Sequence, residues 1–115
     1  MKKYLTFNHR VVFYTPSTRK GIKTTEQEFK KRIDQVASYF TGLFGGATLE
    51  QAKGYWKDST GHYIVEDITK VVSFTDDKTL NKNLQAVLNF TKEKQKEFDQ
   101  EAISLEIDNQ FLLID

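Results

Sequence analysis

The chain has 115 residues, with 17 basic and 16 acidic side chains for a formal net charge of +1, and it contains no cysteine. That length is enough for one buried core without disulfide or metal staples, and the balanced charge gives no overall field that would draw the chain to nucleic acid or to an anionic membrane. The lack of cysteine excludes disulfide frameworks, thiolate zinc sites and cysteine nucleophiles together.

Near the N-terminus Lys2 and Lys3 carry positive charge, but Asn8, His9 and Arg10 break the apolar run that a signal peptide needs. No apolar stretch is long enough to span a bilayer, so the expectation is a cytoplasmic protein. Val11, Val12, Phe13, Tyr14 and Thr15 are β-branched or aromatic and predict a first strand, closed by Pro16, which cannot donate to a ladder. The segment from Ser17 to Lys23 reads as a polar loop with three cations, Arg19, Lys20 and Lys23. A helix is predicted from Thr24 or Thr25, where Thr25 and Glu28 have the spacing of a capping box. Phe29, Ile33, Val36, Phe40 and then Leu43 or Phe44 keep the helical period on one face, and Gly45 and Gly46 end it.

From Ala47 to Phe74 the pattern is a long hairpin turning at Asp58, Ser59, Thr60 and Gly61. A two-residue loop of Ser59 and Thr60 sets Trp56 opposite Tyr63, Tyr55 opposite Ile64 and Lys57 opposite His62. By alternation Ile64, Glu66, Ile68, Val72 and Phe74 share one strand face. Asp76 and Asp77 introduce a second helix carried by Leu80, Leu84, Val87 and Leu88, with a solvated charge run from Lys92 to Glu97. Ile103, Leu105 and Ile107 make a last long strand, and Asp108 and Asn109 turn it into Phe111 to Ile114. The order predicts a single α+β domain over residues 1–115, a ferredoxin-like βαββαβ antiparallel sheet with two helices on one face and an extra C-terminal strand.

Standard catalytic and cofactor signatures are absent from the sequence, so no cofactor is implied, and His9 and His62 lie too far apart for a typical metal spacing. Two groupings stand out. Glu66 is a carboxylate on an apolar strand face, where burial raises proton affinity, and it is the best general-base candidate. Tyr14, Tyr55, Trp56 and Tyr63 come from neighbouring strands, with Arg19 and Lys20 in the loop beyond, a set of flat rings and cations that suits a base-plus-phosphate ligand. The ligand-binding set is therefore Tyr14, Arg19, Lys20, Trp56, Tyr63 and Glu66.

Gly45, Gly46, Ala47 and Thr48, followed by Gly54, Tyr55 and Trp56 and then by Gly61 and Glu66, resemble a pattern found in small proteins of bacteria and their phages. The resemblance implies a phage or mobile-element setting, carries no mechanism, and points first to Trp56 and Glu66. The leading expectation is a non-enzymatic binding protein, phage-derived, that sequesters a small anionic, nucleotide-like ligand or blocks a host protein. The alternative is a small dimeric ferredoxin-like enzyme in which Glu66 or His62 moves a proton. Open sheet edges make a homo-oligomer compatible with either.

Overall fold

The β-branched and aromatic segments do form strands, and in the computed structural model, which describes residues 4–115, they are β1 (His9–Pro16), β2 (Thr18–Arg19), β3 (Ile22–Lys23), β4 (Thr48–Lys57), β5 (Tyr63–Thr75), β6 (Ile103–Ile107) and β7 (Gln110–Ile114). Two helices separate them, α1 (Glu26–Phe44) after β3 and α2 (Asp77–Glu97) after β5. Five strands make one sheet in the order β4-β5-β1-β6-β7, with every neighbouring pair antiparallel. The chain therefore ends on an edge strand. β2 and β3 form a separate two-stranded ribbon. The α+β class and the two helices stand, but seven strands in two sheets replace the clean four-strand core expected with one addition.

Alternation along the strands sorts the sheet into two faces. Val11, Phe13, Val71, Ile103 and Leu105 lie on one face and pack with Val36 and Phe40 of α1 and with Leu80, Val87 and Phe90 of α2. Both helices thus cover the same face. Phe13 sits where they meet, edge-on to Phe40 at 6.2 Å and tilted against Phe90 at 5.8 Å, while Tyr39 stacks flat on Phe90 at 3.9 Å and donates its hydroxyl to the Ala86 carbonyl.

The other face has no helix, yet Val12 is fully buried there and Val72 nearly so. A row of polar side chains covers them. Arg10 bridges Glu50 at 3.6 Å and Glu106 at 3.4 Å, and the Tyr14 hydroxyl donates to Glu106. The alkyl and aromatic stems of these residues exclude water from the valines while their charged ends stay solvated.

Thr25 caps α1 by accepting from the Glu28 amide at 3.1 Å, but Glu28 does not complete the reciprocal half of the box. Its carboxylate takes the Arg32 Nε–H at 3.1 Å instead. Gly45 closes the helix with φ at 87°, a left-handed geometry that costs glycine little. The basic loop after β1 is the β2–β3 ribbon, turned through Lys20 and Gly21, both at positive φ as a tight two-residue hairpin requires.

The β4–β5 register differs from expectation by one residue: Trp56 lies opposite Ile64, Tyr55 opposite Val65 and Lys57 opposite Tyr63. The cause is the turn. Asp58 N–H donates to the His62 carbonyl at 2.8 Å, and Gly61, at φ 89°, donates back to Asp58, so three residues form the loop instead of two. A one-residue change exchanges the faces of a strand, and here it brings Trp56 onto the face that carries Glu66.

His9 ties three elements together at the far end of β1. Its Nδ1 lies 2.8 Å from Asp108 Oδ2 in the β6–β7 turn, and its Nε2 meets Asp77 at the start of α2. The Asp108 hydrogen bond, then that of Asp77, holds the imidazole above its ordinary value, and the Arg10 amide, then His9, holds Asp108 below its own. A raised histidine contributes stability that is complete below about pH 6.5 and is lost as pH rises through the folded value, whereas a depressed Asp contributes above about pH 3.9 and loses it in acid. The clamp is therefore strongest between those limits. Thermal melts of His9→Gln are expected to lose the decline in Tm that the unsubstituted protein shows between pH 5.5 and 8.5; an identical pH profile for both would rule the clamp out.

Candidate functional site

Pairing of β5 with β1 ends at Ile68 opposite Pro16, whereas β4 and β5 continue together to Lys57 opposite Tyr63. The hairpin thus overhangs the end of β1. Its tip is held on the far side of that gap, where the Ser59 amide donates to both Glu101 carboxylate oxygens at 3.2 and 3.3 Å. Between the overhang and the β6–β7 pair lies an open hollow of about 680 Å³ on the helix-free face, lined by Tyr14, Pro16, Trp56, Glu66 and Ile68 on one side and by Gln100 to Ser104, Phe111 and Leu113 on the other.

Glu66 is the buried carboxylate of this hollow, with 7% of its surface exposed. Trp56 Nε1–H donates to its Oε1 at 3.1 Å and Thr18 Oγ1–H donates to its Oε2 at 2.7 Å. The residue facing it across the ladder is Gly54. A Cβ there would stand 3.0 Å from Ile68 Cγ1 and 3.8 Å from Glu66 Cγ, so glycine keeps the floor open beside the carboxylate.

Tyr14 belongs to the same side as Glu66, its ring edge-on to Phe111 at 5.6 Å with Lys70 Nζ 5.1 Å from its centre. Burial first, and then the hydrogen bond to Glu106, push the phenol up to about 12. It stays protonated through neutral pH and serves as an apolar ring with one fixed donor. Among the described residues, the acids that line the hollow are Asp58, Glu66, Glu101 and Asp115, against Lys57 alone among the bases. Such a lining favours a cationic ligand.

Of the six residues expected to bind ligand, Tyr14, Trp56 and Glu66 meet in this hollow. The other three do not. Arg19 pairs with Asp99 at 2.6 Å and Glu28 at 3.7 Å, which spends its charge on the α2–β6 junction. Lys20 lines a smaller hollow of about 410 Å³ on the other side of the hairpin tip. Tyr63 is 79% exposed on the face opposite Glu66, as alternation along β5 requires of residues three apart. His62 is exposed in the turn beside Thr60, 2.9 Å from its hydroxyl, and lies outside the lining of this hollow. With the cations elsewhere and the lining acidic, the expected anionic ligand does not fit.

Sequence reasoning missed Arg32. It falls on the apolar face of α1 and is fully buried, its guanidinium 4.5 Å from the Phe98 ring centre and donating through Nη1 to the Pro16 and Thr18 carbonyls at 2.9 and 2.8 Å. Burial pulls the guanidinium down from its ordinary value, opposed by the Glu28 hydrogen bond and charge. A helical arginine at the period of the apolar stripe was the available signal, and it was masked by the neighbouring Lys30 and Lys31. Among the described residues no cluster of His, Cys, Asp and Glu is arranged to hold a metal, and no helix is long and apolar enough to cross a membrane.

The fold is similar to that of a phage SAM lyase solved in complex with S-methyl-5'-thioadenosine, with a TM-score of 0.70 at 14% identity, covering 99% of this chain and 94% of that one. A phage SAM lyase in the apo state matches with a TM-score of 0.63 at 17% identity over the same shares. The sequence matches no family profile and no curated protein. These likenesses correct the leading expectation: the full-length structural match is to an enzyme, against both the non-enzymatic binding protein and the lean away from catalysis.

Proposed function

We propose that this chain cleaves S-adenosylmethionine without water, releasing S-methyl-5'-thioadenosine, with Glu66 as the carboxylate that faces the cationic part of the substrate. The observation that carries this reading is a buried carboxylate, fixed by Trp56 and Thr18, in a hollow whose charged lining is mainly acidic and which carries four aromatic rings, within a fold similar to a phage SAM lyase. The four strands β4-β5-β1-β6, with both helices on one face, are read as a ferredoxin-like core to which β7 and the β2–β3 ribbon are additions.

The substrate's sulfur is a sulfonium, and release of the thioether breaks its bond to the methionyl Cγ, returning the electron pair to sulfur. The four-carbon fragment then needs a new bond, either from its own carboxylate oxygen to Cγ, giving a lactone with no proton removed, or a Cβ=Cγ double bond after loss of a Cβ proton. Both routes cancel the positive charge on sulfur. An acidic hollow therefore binds the sulfonium substrate more tightly than the neutral thioether, and this difference promotes product release. Tyr14, Trp56 and Phe111 offer rings against which adenine can pack.

Incubating the purified protein with S-adenosylmethionine and following both products by liquid chromatography and mass spectrometry tests the proposal. Equimolar S-methyl-5'-thioadenosine and a four-carbon amino-acid product are expected, the lactone indicating Glu66 as a fixed charge and the alkene indicating it as a base. No thioether above the spontaneous background would end this reading. The self-association expected from the open sheet edges belongs to the same proposal and is read by sedimentation velocity.

A further inference from the structure

We infer that Thr18, held from behind by Arg32 and Gln100, positions the Glu66 carboxylate, so that three buried residues outside the hollow's floor set the geometry of its central group. The functional part of this inference rests on the reading of Glu66 as the carboxylate that faces substrate.

Thr18 belongs to β2, which pairs only with β3 and shares no ladder with the main sheet. The sheet therefore cannot place it relative to Glu66 on β5. Side chains do so instead. The Thr18 carbonyl accepts from Arg32 Nη1 at 2.8 Å and from Gln100 Nε2 at 2.6 Å, while its hydroxyl donates to Glu66 Oε2 at 2.7 Å. Thr18 is 3% exposed, Arg32 0% and Gln100 7%, so water does not compete for these bonds. One residue is thus fixed on one side by α1 and the α2–β6 junction and on the other fixes the carboxylate.

The arrangement is costly to the fold. Arg32 Nη2 is buried without a hydrogen-bond partner, and an incompletely paired buried charge lowers stability compared with an apolar residue of similar size. Stability alone would favour a methionine or leucine on this stripe of α1. The guanidinium's contribution is geometric: two carbonyls, Pro16 and Thr18, are drawn to one Nη1, which sets the path of the chain as it leaves β1.

The single tryptophan of the chain supplies a readout that does not depend on turnover. Trp56 Nε1–H donates to the same carboxylate, so its indole proton and nitrogen resonances report where Glu66 stands. Thr18→Val keeps the branched shape and removes the hydroxyl; it is expected to move the indole cross-peak and to lower kcat by about 10- to 100-fold, the loss typical of a displaced reacting group, with KM nearly unchanged. Thr18→Ser should restore both. Arg32→Met should reproduce the Thr18→Val pattern, and should that variant not fold, Gln100→Met removes the second donor to the same carbonyl. An indole cross-peak and a kcat in Thr18→Val equal to those of the unsubstituted protein would overturn the inference. Should the unsubstituted protein fail to cleave S-adenosylmethionine, the lyase reading falls, and the cross-peak still decides whether Thr18 positions Glu66.

Discussion

Glu66→Gln is expected to lower release of S-methyl-5'-thioadenosine by at least about 10²- to 10³-fold, the loss found when one preorganised electrostatic contact to the reacting centre is removed. The substitution keeps size and shape. Its carbonyl oxygen can still accept from Trp56, and its amide can donate to Thr18, whose hydroxyl rotates to accept. What disappears is the negative charge in a buried setting, where a charge acts more strongly than at the surface. The fold should persist, with a Tm close to that of the unsubstituted protein, so the loss is read in kcat and not in the amount of folded enzyme. Turnover within about twofold of the starting protein, measured under saturating substrate, would remove Glu66 from the chemistry.

Phe13→Ala should produce the largest loss of stability of any single truncation, about 3–5 kcal/mol. Its ring is fully buried at the junction of the sheet with both helices, in contact with Phe40 and Phe90, so neither helix can move into the vacated space without leaving the other. For a domain of this size such a loss lowers Tm by more than about 10 °C. Phe111→Ala provides the contrast. That ring is 57% exposed at the rim of the hollow, and its removal should change the urea midpoint little. A small shift for Phe13→Ala would mean that the core relaxes around the hole.

Much of the scaffold was legible because it depends on local pattern. The Thr25 cap, the stripe of α1 from Val36 to Phe44 and the glycine stop each act within a few residues, and they appear where the pattern puts them, while Arg32 takes the buried place nearer the helix start. The alternation that placed Glu66 beside Ile64 and Ile68 is equally local, and it holds. The site was less legible because its partners meet through register and long-range contacts. A single additional loop residue at Gly61 decided that Trp56, and not Tyr55, shares the face of Glu66. Nothing near Arg19 in sequence announces Asp99, eighty residues away, which takes its charge. Arg32 was overlooked because a cation on a helix normally faces water, and only the tertiary structure shows two carbonyls and a phenyl ring waiting for it. The likeness to phage SAM lyases lies in the whole fold, which no short motif encodes.

The polar row over Val12 and Val72 has a bearing on how the chain behaves when crowded. A helix-free sheet face carrying Val12, Ile68, Val72 and Phe74 would otherwise be a flat apolar surface, and an edge strand as long as β4 would extend it as a template for stacking. Arg10, Glu50 and Glu106 place charges of both signs across its centre, so a second sheet laid on this face would have to strip water from ions that already satisfy one another. Colloidal solubility is thereby built into the same surface that carries the hollow, with the charged row lying between the exposed Phe74 toward one end and the exposed Phe111 and Leu113 at the hollow.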